Sequence, residues 1–296
     1  MQNVRPTAVA GQFYPGDEKT LTHEVHALLA AARPSLIFPK VLIAPHAGYM
    51  YSGAIAATAY ATLLSPDRTE QYQSAQEGLI GGSSRNRLAT PVTCHNRPIA
   101  ARIKRVVLLG PTHRVAVRGL ALPGMDAFDT PLGRVMLDAD AARAITHFPQ
   151  VSVNSQAHAQ EHALEVQLPF LQSVLTDFTL LPLAVGMASA EEVAEVLEAV
   201  WGGDETLIVI SSDLSHYLPY STAQLVDKGT AQSILKLQQP IAHDQACGGT
   251  PISGLIVAAQ RHHLIPHLLD LRNSGDTAGS HTQVVGYAAF AFTPAN

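Results

Sequence analysis

Short apolar runs that stop at proline, glycine or serine and then present a histidine or an aspartate constrain this chain more than any other feature. Lys40-Val41-Leu42-Ile43-Ala44 stops at Pro45 and is followed by His46. Arg105-Val106-Val107-Leu108-Leu109 stops at Gly110-Pro111-Thr112 and is followed by His113. Thr206 to Ile210 leads into Ser211-Ser212-Asp213-Leu214-Ser215-His216. Runs this short and this continuously apolar read as strands buried on both faces, the pattern of a sheet covered by helices on either side.

The segments between them carry helical periodicity or a cap signal. Thr20 to Ala32, Gly53 to Leu64, Asp138 to His147, His158 to Leu175, Thr222 to Leu237 and Ile252 to His263 read as helices. Ser189 is the expected N-cap of another over Ala190 to Val200. Phe178 to Val185, His267 to Arg272 and Gln283 to Phe292 read as further strands, and Phe128 to Gly133 as a turn-rich connector. Strands alternating with helices predict an α/β fold with a central, largely parallel or mixed sheet and helices on both faces. Ligands bind such sheets beyond the carboxyl ends of the strands, where three of these runs leave their polar residues.

Length and composition fit one domain spanning 1–296. With 47% hydrophobic and 15% charged residues among 296, the chain can bury a large core. Residues 65–102, rich in Gly, Ser, Gln and Arg without a sustained period, read as a flexible surface insertion within that domain. Cys94-His95 falls inside it, without the companion ligands that zinc spacings show, and reads as an incidental surface pair.

A net charge of −5 and the lack of a basic cluster argue against nucleic acid or an anionic membrane surface as partner. A small molecule or a peptide is the expected ligand. An N-terminus without an apolar signal core, and no apolar run approaching the ~20 residues that span a bilayer, predict a cytoplasmic protein. In that reducing compartment Cys94 and Cys247 are not expected to bridge.

Five segments occur in an order that resembles the Memo-like family. They are Ala44-Pro45-His46-Ala47-Gly48-Tyr49-Met50-Tyr51-Ser52-Gly53, Leu109-Gly110-Pro111-Thr112-His113, Glu161-His162-Ala163-Leu164-Glu165, Ser211-Ser212-Asp213-Leu214-Ser215-His216 and Cys247-Gly248. The family is similar in fold to the class III extradiol ring-cleaving dioxygenases. The resemblance implies one mononuclear transition metal held by His46, His113 and Cys247, where the dioxygenases use a carboxylate as third donor. Fe(II) is the favoured ion. A thiolate is softer than a carboxylate, so copper and zinc fit as well.

The resemblance also brings Asp213 and His216 to the site as acid/base partners. An imidazole that titrates near neutrality suits removal of a proton from a bound hydroxyl. Asp213 as a plain helix cap with His216 structural is the alternative. Phe13 and Tyr51 are candidates to wall the pocket, or plain core, and Glu161 and His162 to line it or to steady a ligand imidazole. Cys247 precedes a helix expected to start near Pro251, whose positive end would lower the thiol pKa; the alternative is a simply buried cysteine.

The function so implied is a non-haem, metal-dependent, dioxygenase-like oxidoreductase acting on a small hydroxylated substrate. A non-catalytic peptide- or protein-binding module using the same pocket is the second reading. Bacterial relatives resemble one component of a three-part system, AmmeMemoRadiSam, whose radical-SAM and AMMECR-type members would then be partners. A third reading is a zinc-dependent hydrolase, because His158-Ala159-Gln160-Glu161-His162 matches the inverted peptidase signature, which needs both histidines on one helix face.

Overall fold

Side chains alternate strictly along the central strands, and both sets are buried. Leu42 and Ala44, Val106 and Leu108, and Leu207 and Val209 enter one apolar layer. Val41 and Ile43, Val107 and Leu109, and Ile208 and Ile210 enter the other. A strand with two buried faces has no polar side to display, so its sequence is a continuous apolar run rather than an alternating one.

The computed structural model describes residues 3–32, 37–64 and 99–295. In chain order it contains β1 Val4–Arg5, α1 Glu18–Ala31, β2 Val41–Ala44, α2 Tyr49–Ala61, α3 Ile99–Arg102, β3 Arg105–Pro111, β4 Leu120–Leu122, β5 Ala127–Thr130 and β6 Gly133–Met136. There follow α4 Ala139–Ile145, β7 Val151–Val153, α5 Ser155–Ala159, a 3-10 turn at Glu165–Gln167, α6 Leu168–Val174, β8 Thr179–Val185 and α7 Ala190–Ala199. The last third holds β9 Thr206–Ser211, β10 His216–Leu218, α8 Tyr220–Leu235, α9 Gly249–Arg261, β11 Leu264–Asn273 and β12 Val284–Pro294.

The nine-stranded sheet runs β10-β12-β2-β9-β3-β8-β4-β7, with β11 also paired to β12. Its centre, β2-β9-β3-β8, is parallel, and antiparallel pairs flank it at β12 and β4. A smaller sheet, β1-β5-β6, stands apart. Helices α1, α2 and α6 feed the first apolar layer, and α4, α7 and α9 the second, so the sheet is covered on both faces as the sequence predicts. The class is mixed α/β.

Local chemistry explains the element boundaries. Asp17 caps α1 by accepting from the Thr20 N–H, and Ser189 with Glu192 closes a reciprocal capping box on α7. Three expectations are corrected. Phe128 to Gly133 is not a mere connector but the β5–β6 hairpin, which pairs on into Met136. His158 to Leu175 is not one helix: α5 ends at Ala159, a non-helical stretch carries Glu161 and His162, and α6 starts at Leu168, one residue before the proline that suits a first turn. Residues 99–102 form a short helix, whereas the rest of the expected insertion, with Cys94 and His95, lies outside the described residues.

Candidate metal centre

Register brings the two strand-end histidines to one place. Ala44 at the end of β2 lies opposite Ser211 at the end of β9, and β9 runs between β2 and β3. The loops after β2 and β3 therefore meet over the carboxyl end of β9, with His46 and His113 rings 5.2 Å apart. The stretch between α5 and α6 adds His162, whose ring stacks on His113 at 4.7 Å and meets His46 edge-on at 5.5 Å. One donor atom from each of His46, His113 and His162 lies within 4.8 Å of the others, and among the described residues no other histidine, cysteine or carboxylate trio does.

Cys247 stands beside this trio rather than in it. Its Sγ is 3.4 Å from Nε2 of His46 and accepts from the Asp213 N–H at 3.3 Å. Gly248 makes the approach feasible: a Cβ there would fall 2.6 Å from Cβ of Ser212. Helix α9 does begin just past the cysteine, at Gly249. The expected lowering of the thiol pKa is nonetheless reversed, because burial, followed by the nearby Asp213 charge, pushes Cys247 up to about 12. Burial thus favours the thiol over the thiolate at Cys247.

Two of the three imidazoles, those of His46 and His162, are held neutral. Burial, followed by repulsion from His113, pushes His46 down to about 3, and burial, followed by His46, pushes His162 down to about 4. Burial alone would raise Glu161, but hydrogen bonds from His113 and from the Ala163 N–H outweigh it and hold the carboxyl at about 2. Glu161 Oε1 lies 2.8 Å from Nδ1 of His113, and Oε2 accepts the His113 backbone N–H at 2.6 Å. An ionised carboxylate only accepts, so Nδ1 of His113 is the donor and Nε2 is the ring atom left to face a ligand. Nδ1 of His162 is 3.4 Å from the same carboxylate but is not aligned as a hydrogen bond, which leaves it buried without a partner.

Asp213 is buried, and its carboxyl is raised mainly by that burial. Its Oδ1 accepts the His46 backbone N–H at 2.8 Å, so it steadies the loop that carries His46. His216 opens β10, half-buried, close enough for its charge to act on both Asp213 and His46. Phe13 packs against His162, ring centroids 4.8 Å apart. Tyr51, on α2, is half-buried against the first apolar layer.

The His158-to-His162 segment does not form the peptidase arrangement. His158 is buried, with Nε2 2.8 Å from the Ala121 carbonyl, and the helix ends before Glu161. The two histidines share no helix face, and His158 lies outside the donor trio.

The family model for Memo-like proteins matches residues 5–73 and 88–291. The chain belongs to the Memo-like family. It is 31% identical to a MEMO1 family protein of Aquifex aeolicus, over 98% of this chain and 99% of that one. It is 33% identical to a MEMO1 family protein of Methanopyrus kandleri, over 97% and 98% of the two chains. A crystal structure of protein JW3007 from Escherichia coli K12 overlaps 64% of this chain and 86% of its own at 12% identity and a TM-score of 0.40, a likeness too distant to bear on fold or function.

Sequence reasoning missed the parts of this Memo-like chain that hold the site from behind. Arg5, fully buried, pairs with Glu165 at 2.7 Å and donates to the carbonyls of His158 and Glu161. Glu165 also accepts from the Ala8 and Val9 N–H groups and from the Tyr14 hydroxyl. This clamp ties the N-terminal segment, and with it Phe13, to the stretch that carries His162. The signal was an arginine near the N-terminus and a glutamate 160 residues further on, and nothing in a linear reading pairs them.

Proposed function

We propose that this Memo-like protein binds a single transition metal ion through His46, His113 and a third donor, and uses it as a non-haem oxidoreductase on a small hydroxylated substrate. The observation that carries the reading is three imidazoles with donor atoms within 4.8 Å of one another at the carboxyl edge of a parallel sheet. The fit rests on the donor set itself. Glu161 engages Nδ1 of His113 and leaves its Nε2 to face an ion, and the buried Nδ1 of His162 has no hydrogen-bond partner among the described residues. Cys247 is the competing third donor, next to His46.

When bound, the ion would supply Lewis acidity and adjacent open positions at which substrate and oxygen could meet. Iron(II) is the favoured ion, with copper or zinc suited to the cysteine alternative. The chain's own groups would do the rest. His216 would take the proton of the substrate hydroxyl, Asp213 would keep the His46 loop in place, and Phe13 would exclude water beside His162.

The test is metal analysis of protein purified without added metal, repeated on His46→Ala, His113→Ala, His162→Ala and Cys247→Ala. Loss of the ion is expected for the first two variants, and the comparison of the last two identifies the third donor. Stoichiometric metal in all four variants would sink the reading. Anaerobically iron-loaded protein mixed with a panel of catechols then tests turnover by oxygen uptake. No uptake, together with tight binding of a peptide, favours the binding module.

A further inference from the structure

His46 can serve a metal only if the proton on its neutral ring sits on the nitrogen that faces away from the ion, and the structure fixes where that proton is. Nδ1 of His46 lies 2.8 Å from the hydroxyl of Ser211, a buried residue at the last position of β9. That hydroxyl has one proton and two lone pairs. It also lies 2.6 Å from the carbonyl of Ala163 and 2.8 Å from the side-chain nitrogen of Gln167.

Two carbonyls settle every direction in this network. A carbonyl only accepts, so Ser211 must spend its single proton on Ala163. Gln167 places its nitrogen 2.9 Å from the carbonyl of Pro45, which orients the amide, and its Oε1 accepts the Tyr60 hydroxyl at 2.7 Å. The Gln167 amide therefore donates to Ser211 and cannot accept from it. Ser211 has no proton left to offer His46, and the bond at Nδ1 is satisfied only if the ring donates. Nε2, on the side of Cys247 at 3.4 Å, is left unprotonated.

We propose that Ser211 is the positioning residue for His46: its hydroxyl, committed to Ala163, holds the imidazole in the Nδ1–H form and presents Nε2 as the ligand atom. The inference rests on the metal-binding reading for its purpose, but the tautomer is a property of the metal-free chain. Two different devices then set the two strand-end rings alike, a carboxylate for His113 and a serine hydroxyl for His46. A neutral acceptor at His46 adds no charge to a site already holding Glu161 and Asp213. Partners of this kind are worth roughly ten- to a hundredfold in metal affinity when removed.

The experiment is ring 15N chemical shifts of His46 in metal-free protein, assigned by the signal that His46→Asn removes, alongside zinc(II) titration of the same samples. Wild type is expected to show the Nδ1–H form. Ser211→Ala removes the acceptor, so the Nε2–H form gains population and zinc affinity falls about ten- to a hundredfold. Gln167→Met takes away one donor but leaves the Ser211 proton on Ala163, so the tautomer stays. A wild-type ring in the Nε2–H form overturns the assignment and needs no variant to detect. An unchanged tautomer and unchanged affinity in Ser211→Ala overturn it as well. If the tautomers behave as expected and wild type takes up no metal, the positioning of the ring stands and the metal reading falls.

Discussion

The carboxyl edge of the parallel strands and the groove on the flank of the same sheet make opposite use of buried space. At the edge, His46, Glu161, Asp213 and Ser211 are all buried, and each holds at least one polar atom on a named partner. On the flank, a groove of about 500 Å³ is bordered by Leu122, Met125, Met136, Ala142, Val153 and Pro182. Of its two carboxylates, Asp138 is taken up by capping α4 and pairing with Arg105, and Asp126 accepts the Asn3 N–H. A second groove of about 540 Å³, beside α8 and β11, likewise contains none of the site residues. Volume comes cheaply wherever secondary elements meet imperfectly. A concentration of desolvated polar groups, one of them, Nδ1 of His162, without a partner, costs stability and points to chemistry.

The largest effect expected from breaking the edge comes from the clamp beneath it. Arg5→Met leaves Glu165 charged and buried while freeing the carbonyls of His158 and Glu161. Removing one partner of a buried pair costs about 3–5 kcal/mol, and urea unfolding measures it. The double variant Arg5→Met with Glu165→Gln is expected to regain part of the loss, because no isolated charge remains. A double variant no better than the single one would argue that packing, not charge, holds the clamp.

Acid sensitivity gives the next effect, and its sign follows from His158. Burial, outweighing the hydrogen bond to Ala121, pushes this ring down to about 4. Above the ordinary histidine pKa of about 6.5 it is neutral in both folded and unfolded chains, and its contribution to stability is complete. As pH falls from about 6.5, the unfolded chain takes the proton first, and stability declines until the folded ring also titrates near 4. The shift corresponds to about 3 kcal/mol across that window. His158→Gln, which can still donate to Ala121, is expected to flatten the pH dependence of the urea midpoint between those limits. An unchanged slope would mean that the ring is protonated in the fold.

Much of this contrast between edge and flank was legible in the sequence, for a physical reason. Strands with two buried faces announce themselves as apolar runs, so β2, β3, β8 and β9 stand where the runs are, and the residue after each run is a candidate for the edge. His46, His113 and Asp213 fall out of that rule. The place of His162 does not: it sits on an irregular stretch that read as helix because Ala163, Val166, Phe170 and Leu171 are apolar at nearly helical spacing. Short strands such as β4, β7 and β10, at three residues each, are too brief to show a period. Ser211 falls inside a quoted segment, but its role and that of Gln167 carry no sequence signal, because each depends on which carbonyl the side chain meets.

At the edge itself, Glu161→Gln sharpens the distinction between a charged and a merely polar support. The carboxylate receives Nδ1 of His113 and the Ala163 N–H on one oxygen and the His113 N–H on the other. An amide has a single oxygen, so whichever way it turns, its nitrogen faces a donor. Metal affinity is expected to fall about ten- to a hundredfold, or about 1.4–2.7 kcal/mol, with little change in fold. Zinc titration by calorimetry reads the difference, and wild-type affinity in the variant would remove Glu161 from the site.

The smallest effect belongs to the flank, where the comparison is most exposed to failure. Arg143, on α4, pairs among the described residues with Asp140 one turn away, and both side chains are largely in solvent. Val153, at the outer strand β7, is 63% exposed. Arg143→Ala and Val153→Ser remove a solvated ion pair and an already wet methyl group, so each is expected to change stability by no more than about 0.5 kcal/mol. Metal content should match wild type in both. A drop in metal retention from either change would tie the groove to the edge and undo the separation, since β8 is the element that borders one and parallels the strands of the other.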